Sequence, residues 1–309
     1  GTALEYFIEG TRSRTGRLLQ PKGGMLSMTV RGYLRAPTRP ILFQPIYVGY
    51  EKLVEGKSYI TELSGGSKKS ESWSDLFKVY RVLKKRYGKV HVSFAEPLFL
   101  DDILDHFEPE RRNKTFDSED KPAWLTPLVN DLGQRIMTGM NRATHVNAIN
   151  LLAVILLTTR KLAMGRTELT EQLALALDML SDCDYSERVT FTEKSPEEII
   201  AYGKALGVIE VRPHPLGDIV TIVADQSVLL TYFRNNMSHL LALPSLVSSC
   251  FLNARRMGVD HLKRIALRLY PFLKTELFLP WDESEFLVAV DRHLEWLASR
   301  GLLKKASEE

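Results

Sequence analysis

A chain of 309 residues is long enough for two domains with separate cores, and its 44% hydrophobic and 26% charged residues exclude an intrinsically disordered segment. A formal charge of +3, from 41 basic and 38 acidic side chains, leaves little footprint for nucleic acid, although local basic clusters can still bind anions. The cysteines Cys183 and Cys250 support neither a disulfide framework nor a cysteine-rich zinc site, and they fit a reducing, cytoplasmic compartment.

No apolar stretch reaches the roughly 18 to 20 uninterrupted residues of a membrane-spanning helix. The runs Ala148–Leu157 and Leu240–Leu252 are short, and the second carries Pro244 and several serines. The sequence begins at Gly1 and passes at once into the apolar run Leu4–Ile8, which reads as a buried strand with nothing before it, so a piece of a longer chain is expected. No signal-peptide pattern is visible at this start.

Gly10 breaks that strand, and a polar loop with Arg12, Arg14, Arg17 and Lys22 leads into a helix predicted over 24–34. Pro40 opens a second apolar run, Ile41–Val48, rich in β-branched residues and closed by Gly49, which suits a buried strand. A polar connection over 52–72 follows, then a helix over 74–86 with Leu76, Val79, Tyr80 and Leu83 on one side. Lys89–Phe94 alternates Val90, Val92 and Phe94 with Lys89, His91 and Ser93, the pattern of a strand exposed on one face. Strands and helices in this order predict an α/β layer, of which residues 1–100 supply the last part.

The charged stretch 101–121, with Pro109 and few apolar residues beyond its beginning, reads as a linker. Beyond it helices are predicted over 126–143, 145–160, 167–181 with Thr167 as cap, and 196–206. A small hairpin, 208–211 with 219–223, turns through Pro213, His214, Pro215 and Gly217, and further helices follow over 226–241, 244–256, 259–270 and 283–300. The expected class is α/β: the end of an α/β domain, then a mostly α-helical region, 122–309, that is itself expected to be truncated.

The loop Glu9–Lys22 sets four cations within fourteen residues, beside Gly10, Thr11 and Ser13, which are small enough to let a ligand approach the backbone. Arginine suits a phosphate site because its planar donors hold two phosphate oxygens at once. The Glu9 carboxylate would orient those arginines or accept a hydrogen bond from a substrate hydroxyl. The competing reading is a solvated basic loop whose surface ion pairs do little. Pro45, in the run Ile41–Val48, reads by default as an irregularity in a core strand.

Phe7-Ile8-Glu9-Gly10-Thr11-Arg12-Ser13-Arg14 resembles the third sequence block of the glycerolipid acyltransferase superfamily, and Ile41–Val48 resembles the fourth. The resemblance implies that Glu9, Gly10, Thr11, Arg12, Ser13 and Arg14 help bind a phosphorylated acceptor and that Pro45 lies near the acyl-transfer site. Tyr50-Glu51, Glu55, Ser58-Tyr59, Glu62-Leu63, Gly65, Lys68 and Glu71-Ser72 resemble the stretch after block four in glycerol-3-phosphate and dihydroxyacetone-phosphate acyltransferases. Thr231–Asn236 resembles their tyrosine-tyrosine-arginine-asparagine-asparagine run, although a structural hydrogen-bond cluster is the plainer reading of Arg234 to Asn236.

With Pro122–Pro127 and Leu273–Leu279 added, the whole chain is similar to the bacterial membrane-associated glycerol-3-phosphate acyltransferases. That likeness implies transfer of an acyl group from acyl-CoA or acyl-acyl-carrier-protein to the first hydroxyl of glycerol 3-phosphate, with no cofactor and no metal. It also implies peripheral attachment to an anionic membrane surface, the cytoplasmic face of the bacterial inner membrane. In those terms residues 1–100 are the C-terminal part of the catalytic domain, carrying blocks three and four.

The family's catalytic element is a histidine followed five positions later by an aspartate, the histidine acting as general base on the attacking hydroxyl. None of the 7 histidines here has that partner. His91 has Glu96 at this spacing, but it follows block four on a predicted strand, where it reads as solvent-facing. No catalytic residue is assigned; the base is expected upstream of Gly1, and these residues alone are expected to be inactive. The rival readings are a dihydroxyacetone-phosphate acyltransferase and a noncatalytic membrane-docking module, with Arg12–Lys22 and Lys84-Lys85-Arg86 meeting anionic headgroups.

Overall fold

The computed structural model describes residues 2–53, 88–117, 122–183, 185–252 and 254–306. The helix predicted over 74–86, most of the connection 52–72 and the family-like residues from Glu55 to Ser72 lie outside them.

Helix α1 (Gly23–Arg35) buries Leu26, Val30 and Tyr33, the i, i+4, i+7 spacing of one helical face. That face meets α3 (Leu125–Arg142), which buries Leu125, Leu128, Val129, Leu132, Ile136 and Met137. Between them in sequence, α2 (Leu100–Phe107) adds Leu100, Ile103 and Leu104, and the three helices form one hydrophobic cluster with Ile8 and Phe278. The stretch expected as a linker thus contains a packed helix and a 3-10 turn, Arg111–Asn113. One of its charges is turned inward: the buried Arg111 guanidinium reaches Asp101 at 2.6 Å and Asp105 at 2.9 Å.

The apolar run Ile41–Val48 divides at Gln44-Pro45 into two strands. β1 (Leu42–Phe43) pairs antiparallel with β4 (Leu98–Phe99), and β2 (Ile46–Tyr50) pairs antiparallel with β3 (Val90–Phe94). Proline has no N–H for a ladder, and at the break only its carbonyl is used, accepting from Ala95 N at 3.0 Å. The β2–β3 ribbon also corrects the expected sidedness. Val90, Val92 and Phe94 are more than half exposed, Ile46, Val48 and Tyr50 beside them are exposed, and the polar face with His91 and Ser93 turns inward. Its inward partners are polar, which is why the alternation runs opposite to the hydrophobic rule.

Leu4–Ile8 is not a strand. Phe7 is 86% exposed and only Ile8 is buried, because among the described residues no neighbouring strand offers this segment a ladder.

After α3, β5 (His145–Val146) pairs parallel with β7 (Thr190–Phe191). Asn147 then caps α4 (Ala148–Leu156) in a reciprocal box with Asn150, so the helix predicted from His145 begins later and ends earlier. α5 (Arg166–Asp182) has Gly165, not Thr167, at its N-cap, and α6 (Pro196–Ala205) is capped by the Ser195–Glu198 box. The predicted hairpin forms as β8 (Ile209–Arg212) and β9 (Ile219–Ile222), extended by β6 (Ala163–Gly165) on the far side of β9.

Helices α7 (Ser227–Asn236) and α8 (Ser238–Cys250) meet at Met237, and α8 carries Pro244 inside it rather than starting there. α9 (Val259–Leu277) runs through Pro271 to a left-handed Phe278, and α10 (Glu283–Ser299) starts at an Asp282–Glu285 capping box. These elements from Val146 to Leu297 enclose the larger hydrophobic cluster. The class is the expected mixed α/β with a predominantly helical C-terminal part. No helix among the described residues is long and apolar enough to cross a membrane.

Candidate functional site

The arginine-bearing segment is a closed loop. Gly10 N donates to the Phe7 carbonyl at 3.0 Å, and Lys22 N donates to the Ile8 carbonyl at 2.8 Å, so the two ends of the loop meet. Glu9 braces it from inside: its Oε2 accepts from Leu19 N at 2.8 Å. Burial pushes the Glu9 carboxyl up from its ordinary range, while the Leu19 hydrogen bond pulls it back. At least one of its oxygens is therefore committed to the backbone.

At the crest Ser13 Oγ accepts from Gly16 N at 3.1 Å and Thr15 Oγ1 accepts from Arg17 N at 3.4 Å. These local side-chain bonds replace a regular element, the usual role of serine and threonine in turns. Thr11, Arg12, Arg14 and Arg17 are exposed along this crest.

Three helices from beyond residue 121 hold the loop. Gln20 Nε2 donates to the Thr275 carbonyl of α9 at 3.2 Å, and Arg17 lies 3.8 Å from Glu276. Asn235 of α7 donates from Nδ2 to the Thr15 carbonyl at 2.8 Å. On α3, a Cβ added at Gly133 would stand 3.1 Å from the Pro21 ring, so the base of the loop sits directly on that helix.

Pro45 docks on the same helix. It is buried, and a Cβ at Gly139 would stand 3.3 Å from its ring. Gly133 and Gly139 are six residues apart, about 9 Å along a helix axis. α3 therefore brings the base of the arginine loop and the break in the second apolar run onto one support. Glu9, Gly10, Thr11, Arg12, Ser13 and Arg14 form one turn, while Pro45 belongs to the neighbouring strand break.

A second polar cluster lies under the β2–β3 ribbon. The buried Glu51 carboxylate accepts from Lys89 N at 2.6 Å and from the Tyr202 hydroxyl, and His91 Nε2 stands 3.7 Å from it. His91 is thus turned inward rather than to solvent, and its nearest acid is Glu51, while Glu96 is exposed. His145 stacks on His91 and shares a 2.8 Å hydrogen bond with Thr190 Oγ1; burial, then the neighbouring His91, lowers it to about 4.

The sequence drew attention to Thr231–Asn236 and to Glu9–Lys22 separately but did not connect them. Only the family resemblance marked the first, and no local pattern predicts a contact across 220 residues.

A family model for the glycerol-3-phosphate acyltransferase C-terminal region matches residues 59–309. The chain is 49% identical over 310 residues to the glycerol-3-phosphate acyltransferase of Xylella fastidiosa strain M23, covering 100% of this chain and 36% of that protein. It is 47% identical over 310 residues to that of Xanthomonas campestris pv. campestris, covering 100% of this chain and 35% of the relative. With that of Pseudomonas fluorescens strain SBW25 the identity is 42% over 304 residues, 98% of this chain and 36% of the relative. The chain therefore spans little more than a third of the length of these relatives. The arginine loop precedes the region matched by the family model but lies within the span shared with the Xylella protein.

Proposed function

The chain belongs to the glycerol-3-phosphate acyltransferase family, and from that premise we propose that it is the acceptor-binding part of an enzyme that acylates the first hydroxyl of sn-glycerol 3-phosphate. The acyl donor in this reading is acyl-CoA or acyl-acyl-carrier-protein, the product is 1-acyl-glycerol 3-phosphate, and the work is done in phospholipid biosynthesis. The observation that carries it is the braced loop, which exposes Arg12 and Arg14 while Glu9 is tied to Leu19 N.

In this mechanism the Arg12 and Arg14 guanidinium groups take the acceptor's phosphate oxygens in pairs. Glu9 keeps the loop open around them. Pro45 holds the neighbouring strand break against α3, beside the acceptor. No proton transfer is given to these residues, because no histidine of the chain is followed by an aspartate five positions later. The 309 residues alone bind the acceptor without turning it over.

The reading includes action at the cytoplasmic face of the bacterial inner membrane, with basic groups of the chain against anionic headgroups. Vesicle flotation with and without anionic lipid tests this part.

For the acceptor site the test is calorimetric titration of glycerol 3-phosphate into the chain, with dihydroxyacetone phosphate as competitor. Saturable binding that Arg12→Ala weakens at least tenfold is expected. Equal affinity in the unaltered chain and in Arg12→Ala would remove the loop from the acceptor site, and acylation by these residues alone would refute the division of labour.

A further inference from the structure

The tip of the arginine loop rests on the last turn of α7, a helix more than two hundred residues away in sequence, through an oriented amide. Asn235 Nδ2 donates to the Thr15 carbonyl at 2.8 Å, and Arg234 donates to Asn235 Oδ1 from Nε at 3.3 Å and from a terminal nitrogen at 3.2 Å. The Thr15 carbonyl can only accept, so the amide must turn its nitrogen to the loop, and the guanidinium on Oδ1 favours the same orientation. Arg234 therefore reinforces the direction in which the amide faces.

The backbone beside Thr15 is shaped for this contact. Gly16 has φ +82, a left-handed conformation, and a Cβ there would lie 2.3 Å from the Tyr232 carbonyl and 3.0 Å from Asn236 Oδ1. No side chain fits at position 16 while the loop stays seated. Ser13 Oγ, on Gly16 N at 3.1 Å, ties the arginine-bearing turn to the same glycine. The seat and the turn that carries Arg12 and Arg14 thus share one backbone.

Resting on the acceptor-site reading above, we infer that Asn235 is a positioning residue of that site. Through the Thr15 carbonyl it fixes the turn that presents Arg12 and Arg14, so the cations are in place before the acceptor phosphate arrives. A loop that must be ordered at the moment of binding loses affinity for each residue it fixes, on the order of tenfold per residue. Seating the loop on α7 removes part of that loss. The helical region thereby acquires a role at the site: α7 sets the loop's conformation, and Arg234 supports the orientation of the amide that holds it. If the Arg234–Asn236 run were only helix-surface polarity, loosening it would leave acceptor affinity untouched.

The test measures glycerol 3-phosphate binding by calorimetry in the unaltered chain and in Asn235→Ala, Asn235→Gln, Gly16→Ala and Arg12→Ala, with the melting temperature of each. Asn235→Ala is expected to weaken binding about five- to tenfold, the worth of one hydrogen bond, at an unchanged melting temperature. Gly16→Ala should weaken it at least as much, and Asn235→Gln, which keeps the donor on a longer arm, should recover part of the loss. Trypsin should cut after Arg12, Arg14 and Arg17 faster in Asn235→Ala than in the unaltered chain. Full affinity in Asn235→Ala alongside lost affinity in Arg12→Ala overturns the inference and leaves the acceptor reading standing. Absence of binding by the unaltered chain overturns the acceptor reading and the inference with it.

Discussion

The imidazole of His91 lies flat against that of His145, with ring centroids 3.7 Å apart and planes inclined by 17°. One ring comes from the β2–β3 ribbon and the other from β5 at the edge of the helical region, so the stack is a seam between the two. Two imidazolium ions cannot share that spacing cheaply, and burial already disfavours charge on His145. The seam therefore depends on a neutral His145 ring.

Acid should open it. His145 and His293 are lowered to about 4 and the fully buried His239 to about 3, burial being the largest cause in each case. A histidine whose folded value lies below its unfolded value of 6.5 folds best when neutral. Its contribution is whole above about pH 6.5 and is lost as pH falls toward the folded value. Urea midpoints should thus decline steadily from pH 7 to pH 4.5, and His239→Leu should flatten the slope. A midpoint constant over that range would contradict the burial of these rings.

Glu51 should be the costliest polar side chain to remove from the seam. Its carboxylate holds Lys89 N, the Tyr202 hydroxyl and, at 3.7 Å, His91 Nε2. Glu51→Ala leaves a backbone donor and a phenol without their acceptor in a half-buried place, at about 1–3 kcal/mol. Tyr202→Phe removes only one partner and should cost about 1 kcal/mol. Denaturant titration of both variants checks the order, and equal losses would show that Glu51 is held by Tyr202 alone.

The charged stretch after the ribbon makes a similar prediction. Arg111 bridges Asp101 and Asp105 with its side chain only 7% exposed, and Asp101 also accepts from the Tyr33 hydroxyl at 2.8 Å. Arg111→Ala should destabilise by about 2–4 kcal/mol, because it leaves two carboxylates facing each other. Arg112→Ala, at an exposed arginine 3.5 Å from Asp105, should cost less than about 1 kcal/mol.

What the sequence made legible follows from the range of the signal. Helices opening at Pro196 and Glu283 are readable because their starts are encoded within four residues, and the capping boxes at Ser195 and Asp282 bear that out. The ribbon was legible as an alternation but not in its sidedness: period two says that the faces differ, and only the partners, here Glu51, His145 and Tyr202, say which one turns inward. Residues 101–121 read as a linker because charge is taken for solvation until Arg111 is seen to be buried. For the site, the arginine loop was visible as a motif, whereas its support by Asn235, Thr275 and Gly133 was not, since each lies more than a hundred residues away.

The ribbon's sidedness can be measured directly. With Val92 more than half exposed, Val92→Thr should change stability by less than about 0.5 kcal/mol, as surface substitutions usually do. Were Val92 in the core, the same change would bury a hydroxyl and cost about 1–3 kcal/mol.

Glu9 allows bracing to be separated from charge. Its Oε2 accepts from Leu19 N at 2.8 Å, and a glutamine at that position keeps an acceptor oxygen of the same reach while losing the negative charge. If bracing is its main duty, Glu9→Gln should hold the loop's stability within about 0.5 kcal/mol, and Glu9→Ala should lose about 1–2 kcal/mol by leaving a half-buried N–H without a partner. Glycerol 3-phosphate affinity should then follow the same order, with Glu9→Gln near the unaltered chain and Glu9→Ala well below it. A Glu9→Gln variant that folds normally yet binds as poorly as Glu9→Ala would assign the carboxylate's charge to the arginines or to the acceptor's hydroxyl. The Leu19 bond would then be incidental to binding.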